Sequence, residues 1–413
     1  MIKEIAAAGK PPDVLTPTGK AALRVGEATG VFAMTIHRFL YEPTEDPKTG
    51  KPIFKIEERP VPRSEIPGEV SSPTQPFPVQ PPPVARQSFS EADVTDRTPA
   101  ARDAVLKQLR GMRTGGLYRP PGFKPDVMLP QFNGGAEWGG AAFDPNRGLL
   151  FVNTSNEAEW ISMIRSKPAD NVRMGELGAH LYRVICSTCH GFGAPQFPAS
   201  PSLQSLKSVK QRHTADEVLT LLKTGRGQMP SFESLSHVEH RALVAFLFDQ
   251  GTAEPVPPGA TDLGWASEIP YVATGHHEFR DPDGYPANRR PWGQLTAVDL
   301  ARGTIRWQAP LGTYPELERQ GHGTTGTFNI GGPIATAGGV VFIGATMDER
   351  FRAFDSRNGR ILWEYQMDAG GYATPATYAV RGRQFVVIAA GGGGKPQTKA
   401  GNAYYCFALP ERY

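Results

Sequence analysis

Cys186-Ser-Thr-Cys189-His190 puts two thiols three positions apart, with an imidazole immediately after them. Thiols at that spacing can each bond one vinyl group of a porphyrin while the next residue reaches the iron, so the pentapeptide has the form of a covalent haem attachment site. Two other chemistries share part of the pattern. A bare C-x-x-C serves as a redox pair in thioredoxin-like proteins, but those do not call for the following His190. A zinc site needs a second Cys or His pair at short spacing, and none follows. A haem held in this way moves electrons, which raises the question of their source. A further soft donor, Met229, stands about 40 residues after His190 in Gly225-Arg-Gly-Gln-Met229-Pro230.

Helices must position these groups, and their signals are legible. Residues Met174 to Ile185 read as a helix with Leu177, Leu181, Val184 and Ile185 on one apolar stripe. Gly191, Phe192, Gly193 and the Pro-rich stretch after them read as a loop around a prosthetic group. Thr214-Ala-Asp-Glu217 is a capping box that opens a helix to about Lys223. Ser236-His-Val-Glu239 is a second, opening a helix that ends near Asp249. Met229 therefore falls in a short loop between two helices. Over roughly 172–251 the chain resembles a class I cytochrome c domain, and the resemblance implies His190 and Met229 as the two axial iron ligands, with Cys186 and Cys189 as the covalent anchors. The competing reading of Met229 is a core methionine. His/Met ligation would raise the haem potential, which suits an electron acceptor. His180, His213, His237 and His240 are expected at the surface.

With 413 residues the chain has room for two or three domains. A net charge of +3 and ordinary apolar content give no strong nucleic-acid or membrane patch. No apolar run is long enough to span a bilayer. Abundant Gly (46) and Pro (39) favour a turn-rich β protein. Its strands repeat: Leu295-Thr-Ala-Val-Asp299-Leu-Ala-Arg-Gly303-Thr-Ile-Arg-Trp307 matches Phe351-Arg-Ala-Phe-Asp355-Ser-Arg-Asn-Gly359-Arg-Ile-Leu-Trp363 at an offset of 56. Each copy reads strand, turn, strand, with the Asp carboxylate capping the turn, the Gly taking positive φ and the Trp burying a large surface. Weaker copies stand at Phe143–Phe151 and Asp46–Phe54. A period of this size in strand-rich units points to a β-propeller. Asp144 and Asp299 are 155 positions apart, and removing about 99 for a helical domain and its linkers leaves the same period, so that domain reads as an insertion between blades. Residues 60–83 carry too much proline for regular structure and read as an extended arm packed on the propeller. Cys406, the odd thiol, is expected to be buried in the last strand.

These stretches, with Gly50-Lys-Pro-Ile-Phe-Lys-Ile-Glu-Glu-Arg-Pro-Val-Pro62, Ser72-Pro-Thr-Gln-Pro-Phe77, Glu137-Trp-Gly-Gly140 followed by Asp144-Pro145, Gly331-Gly-Pro-Ile-Ala-Thr-Ala-Gly-Gly339 and Ala369-Gly-Gly-Tyr-Ala-Thr-Pro-Ala-Thr-Tyr378, resemble the pyrroloquinoline quinone (PQQ) dependent dehydrogenases, in the branch similar to membrane-bound glucose dehydrogenase. The resemblance implies a mainly β fold: a partial propeller, about four blades of the family's eight, with an inserted all-α cytochrome c domain. The corresponding limits are 1–36 unassigned, 37–160 blades with a Pro-rich arm at 57–90, 172–251 cytochrome c, and 262–413 blades. The implied reaction is hydride transfer from a sugar or alcohol carbon to PQQ, with a carboxylate base and Ca²⁺ as Lewis acid. Electrons then pass to haem c and on to a respiratory acceptor, ubiquinone or a cytochrome, in the bacterial periplasm. No nucleic acid is implied.

By the same resemblance Glu137, Trp138 and Asn329 fall near the quinone. Trp138 reads equally as inter-blade packing, and Asn329 as a turn cap. The family's catalytic Asp and most metal ligands belong to an earlier half of the propeller, expected upstream together with an export signal or membrane anchor. Its quinone-side Lys has no counterpart near His37–Tyr41, which leaves Lys10 as a remote candidate. Two further functions compete: an electron-transfer module with a non-catalytic half propeller, and a propeller that binds a protein partner.

Overall fold

The computed structural model describes residues 54–190, 206–260 and 269–410, together with the paired strands Val14–Thr16 and Ala33–Thr35. Lys10 and the stretch His37–Tyr41 lie outside the described residues. The Pro-rich arm is more regular than its composition suggests. Strands β1 (Ile56–Pro60) and β2 (Thr74–Pro78) pair antiparallel. Pro60, Pro76 and Pro78 all fall in pairs of one parity: Pro60 with Thr74, Glu58 with Pro76, Ile56 with Pro78. The flanking backbone bonds, Val79 N to Lys55 O at 2.9 Å and Val61 N to Pro73 O at 3.0 Å, belong to the other parity. Those three prolines occupy non-hydrogen-bonded pairs of a two-stranded ribbon, where no N–H is needed. Val84 then packs beside Leu150 and Val152, so the arm does lie on the propeller. Helix α1 (Pro99–Leu109), capped by Thr98 Oγ1 on Ala101 N, buries Ala101, Val105 and Leu109.

After strand β3 (Asp126–Met128), β4 (Ala136–Asp144) and β5 (Leu149–Ser155) form a hairpin. Strands β6 (Glu159–Ile161) and β7 (Met163–Arg165) lead into a helical domain, and β8 (Tyr271–Ala273) and β9 (His277–Glu278) return from it. The helices there are α2 (Met174–Leu181), α3 (Ala215–Thr224) and α4 (His237–Phe248). Strands β10 (Gly293–Asp299) and β11 (Thr304–Pro310) then complete the sheet that β4 and β5 began, in the order β11-β10-β5-β4. Gly293 stands opposite Ser155 and Asp299 opposite Leu149. The helical domain is therefore inserted within a blade, between its second and third strands, and not between blades. The match of Asp144 to Asp299 was a coincidence of turn chemistry: Asp144 caps the first hairpin of this blade, where Oδ1 accepts from Asn146 N at 3.0 Å, and Asp299 caps the second.

The next blade is continuous: β12 (Ile334–Ala335), β13 (Val340–Ile343), β14 (Arg350–Asp355) and β15 (Ile361–Gln366). Its second hairpin repeats that of the split blade. Asp299 and Asp355 accept from the backbone N–H of Arg302 and Arg357, and Gly303 and Gly359 both take positive φ, 62° and 72°. The repeated Trp reaches the following blade in each case: Trp307 Nε1 donates to Ser356 O at 2.9 Å, and the Trp363 ring meets Phe407 edge-on at 4.9 Å. A three-stranded sheet follows, β16 (Ala376–Val380), β17 (Arg383–Gly392) and β18 (Ala400–Ala408).

Period-two alternation builds the cores. Phe354 joins Phe151, Leu295 and Ile343 between the first two blades, while Phe351 faces Met367, Val386 and Ile388 on the other side. Cys406 is exposed on the outer face of β18, with Sγ 3.3 Å from the Tyr378 hydroxyl, contrary to its expected burial. Strand residues alternate faces, and position 406 falls on the opposite face from the core-facing Phe407.

Candidate metal centre

Helix α2 turns Met174, Leu177, Gly178 and Leu181 inward. It runs on through a π turn, Tyr182–Cys186, into Ser187–His190. A π turn adds a residue, so the thiol-bearing segment is rotated relative to the stripe of Leu177 and Leu181; such turns recur at functional sites. Cys186 and Cys189 are half-buried free thiols. Burial, with the neighbouring Cys189 adding to it, pushes the Cys186 thiol up to about 12, so it is held protonated.

Helix α3 stops at Gly225 (φ 69°), and the chain closes a tight turn in which Arg226 and Met229 exchange both backbone bonds, at 2.9 and 3.0 Å. A Cβ on Gly225 would lie 2.7 Å from Met229 O, so the turn requires a residue without one. Met229, Ile185 and Cys186 all border a single core formed by Leu177, Leu181, Leu222, Leu235 and Leu243. Both capping boxes are made: Thr214 with Glu217, and Ser236 with Glu239. Cys186 and Met229 border this core, and with Cys189 and His190 next in the chain they make a donor set suited to haem c. Cys189→Ala is expected to leave at most one thioether, detected as a shifted pyridine haemochrome band and a weaker haem stain after denaturing electrophoresis.

Four histidines were expected at the surface. His213 and His237 are exposed; His180 is half-buried and donates from Nε2 to Ser166 O at 2.8 Å. His240 is buried, at 2 % exposure. A signal existed: His240 precedes Leu243 and Leu247 by three and seven positions, on the inward stripe of α4.

Sequence reasoning did not anticipate the neck. The outgoing and returning chains pair twice, β6 with β9 (Trp160 opposite His277) and β7 with β8 (Tyr271 opposite Arg165). Closely spaced ends are what an inserted domain requires. The neck also touches the thiol segment directly. Ser187, fully buried between the two cysteines, shares its one hydroxyl proton between Arg183 O at 2.7 Å and Thr274 O at 3.0 Å. A hydrogen bond thus joins the C-x-x-C-H segment to Thr274, the residue that follows β8.

His277 lies in this neck, its ring 4.0 Å from that of Trp160 and its Nε2 3.3 Å from Thr274 Oγ1. Burial, reinforced by His276 alongside, drives its pKa from 6.5 down to about 4. The unfolded neck therefore binds a proton that the folded one refuses, and stability present above pH 6.5 is lost as the pH falls toward 4. Limited proteolysis at the neck should accelerate across that window, and His277→Phe should flatten the response.

Of the residues expected near a quinone, the side chains of Glu137 and Trp138 lie outside the described residues; their backbone belongs to β4. Asn329 is fully buried and wholly engaged by the protein. Its Oδ1 accepts from Asn153 Nδ2 at 2.7 Å, and its Nδ2 donates to Thr154 O at 2.9 Å and Thr327 O at 3.2 Å. Its amide bridges the two blades and leaves no free donor for a cofactor, which is closer to its structural reading than to a ligand. Beside it Gly139 meets Gly331 and Gly332 so closely that a Cβ on Gly139 would lie 1.9 Å from Gly331 C. Among the described residues no three His, Cys, Asp or Glu side chains converge as a metal site, and no helix is long and apolar enough to cross a membrane.

The chain matches the model for the β-propeller domain of glucose/ethanol/alcohol dehydrogenases over residues 42–183 and 240–386, on either side of a match to "Cytochrome C oxidase, cbb3-type, subunit III" at 174–247. It is 29% identical over 382 residues to a quinate/shikimate dehydrogenase (quinone) of Acinetobacter baylyi, covering 91% of this chain and 36% of that protein. It is 28% identical over 374 residues to the large subunit of a glycerol dehydrogenase of Gluconobacter thailandicus, covering 89% and 41%. A segment of 109 residues is 53% identical to a 1-butanol dehydrogenase (cytochrome c) of Thauera butanivorans, 26% of this chain and 14% of that one. Among solved structures, a quinohemoprotein alcohol dehydrogenase from Comamonas testosteroni aligns at 18% identity with a TM-score of 0.35, over 70% of this chain and 29% of that one. The chain thus spans about two fifths of the length of the curated relatives it matches over most of its own length.

Proposed function

The chain belongs to the PQQ-linked glucose/ethanol/alcohol dehydrogenase β-propeller family, with a cytochrome c-type domain set into one blade, and from that premise we propose that it serves the oxidation of a sugar or alcohol hydroxyl, with electrons leaving through a haem on Cys186 and Cys189. His190 and Met229 would hold the iron in this reading. When bound, PQQ accepts a two-electron hydride with Ca²⁺ as Lewis acid, and haem iron passes electrons one at a time. The protein's own part is to hold and shield. The cysteines would anchor the porphyrin, the core of Leu177, Leu181, Leu222 and Leu243 would keep water from it, and Ser187 ties the C-x-x-C-H helix to the neck. The observation that carries the proposal is the neck, whose paired strands join a quinoprotein-family propeller to the C-x-x-C-H helix, with Ser187 of that helix bonded to Thr274 of the neck. The acceptor is a respiratory quinone or a cytochrome, and the compartment the bacterial periplasm, where haem c is assembled. The relatives' names, quinate/shikimate and glycerol among them, support a small hydroxylated substrate.

The test is reconstitution of the haem-loaded chain with PQQ and Ca²⁺, followed by a panel of sugars, polyols and alcohols under anaerobic conditions. Substrate-dependent haem reduction is the expected result. A second reading, an electron-transfer module without dehydrogenase activity of its own, is favoured by the full engagement of Asn329. Turnover by this chain would sink it. Haem that is reducible by dithionite but by no substrate would sink the first.

A further inference from the structure

Among the described residues the helical domain holds two buried side-chain atoms without a partner, Glu239 Oε1 and His240 Nε2, and the second is a nitrogen that can ligate a metal. His240, in the first turn of α4, is 2 % exposed. Its Nδ1 lies 3.1 Å from Ser236 O. A carbonyl oxygen can only accept, so Nδ1 carries the proton and Nε2 is left with a lone pair. That Nε2 is shielded from solvent and has no hydrogen-bond partner among the described residues. A buried acceptor without a donor is costly and calls for a reason. The arrangement is the one a metal-bound histidine adopts: Nδ1–H on a backbone carbonyl sets the ring, and Nε2 is presented to the metal. The side chain shares its helical face with Leu243 and Leu247, which belong to the same core that Cys186, Ile185 and Met229 border.

We propose that His240 Nε2 binds the haem iron opposite His190 whenever Met229 is displaced, so that the haem has a His/Met form and a His/His form. This rests on the haem reading above. The two ligands are held differently. His240 is fixed on a helix with its ring pinned by Ser236, whereas Met229 sits on a turn held by one pair of backbone bonds and borders the core without entering it. The exchange transfers no electron and no proton; one iron–sulfur bond breaks and one iron–nitrogen bond forms. Nitrogen in place of the thioether lowers the haem potential, so the same centre would accept electrons readily in one form and give them up readily in the other.

The experiment uses the full haem-loaded chain. Covalent haem is first verified by haem staining after denaturing electrophoresis; its absence would defeat the haem reading itself and with it this proposal. Absorption and electron paramagnetic resonance spectra are then recorded, with midpoint potentials, for the parent chain, Met229→Ala, His240→Leu and the double variant. The proposal expects Met229→Ala to stay six-coordinate and low-spin with a bis-nitrogen signature and a lowered potential. The double variant should become high-spin and open to added imidazole, and His240→Leu alone should keep the His/Met spectrum. A high-spin Met229→Ala haem, or single and double variants with identical spectra, would overturn it. His240→Gln, which keeps the buried position polar, gives the same comparison if the apolar variant does not hold haem.

Discussion

Asp348→Ala should cost roughly 3–5 kcal/mol of stability, because it leaves the Arg352 guanidinium buried without its main partner. The two side chains are almost fully enclosed, 0% and 3% exposed. Arg352 holds both carboxylate oxygens: Nη1 reaches Oδ1 at 3.1 Å, and Nη2 makes a closer contact with Oδ2. The same carboxylate accepts from Thr346 Oγ1 at 2.5 Å and from Thr313 N at 2.9 Å, so it ties the second blade to the loop that leaves the split blade. Glu364 Oε2, 3.5 Å from Arg352 Nε, offers partial compensation from a 43% exposed side chain, which favours the lower end of the range. Urea unfolding followed by tryptophan fluorescence measures the loss. A change under about 1 kcal/mol would mean that Arg352 reaches water once released, as surface pairs do.

The pH dependence has a definite sign. Burial on its own would raise the Asp348 carboxyl, but Arg352, with Thr346 assisting, outweighs it and holds the pKa below 3.8. Its contribution is complete above that value and is lost as the pH falls through the depressed folded value. Acid unfolding of the parent chain should therefore steepen below pH 3.8, and the variant should lack that component.

Gly178→Ala is expected to destabilise the helical domain by about 2 kcal/mol or more, although the same change in an open helix gains about 1 kcal/mol. A Cβ at this position would stand 2.0 Å from Ala242 O and 2.6 Å from Phe246 Cβ. The obstacle is a backbone carbonyl of α4, which cannot rotate aside, so the two helices must part. Their separation would loosen the core that Cys186 and Met229 border. The opposite signs of propensity and crowding make the outcome decisive. Reduced haem incorporation and an earlier thermal transition are expected, and a gain in stability would show that the helices cross less tightly.

Features set by short stretches were legible in the sequence. Capping boxes are local hydrogen-bond geometry, so Thr214 and Ser236 marked the starts of α3 and α4. Asp299 and Asp355 marked their turns for the same reason. The equivalence of Asp144 failed because a Gly-terminated Asp turn closes the first hairpin of a blade as readily as the second; only the strand partners tell them apart. Proline content misled for β1 and β2, since what matters is the parity of each proline against the hydrogen bonds, and parity depends on register. His240 and Cys406 were misplaced because burial is decided by what packs against a face.

Legible in the residues alone were a C-x-x-C-H motif after an apolar-striped helix, capped helices beyond it, a Met in the loop between them and strand–turn–strand units on both sides, because each is encoded within a few consecutive residues. Only the tertiary structure decided that the helical domain splits a blade between β5 and β10, that Ser187 binds it to the returning strand, and that His240 lies buried beside Leu243. The physical reason is distance along the chain. The bonds joining Asn156 to Trp292 and Ser187 to Thr274 form between groups that carry no local mark of each other, and they exist only once the intervening residues have folded into a domain whose ends meet.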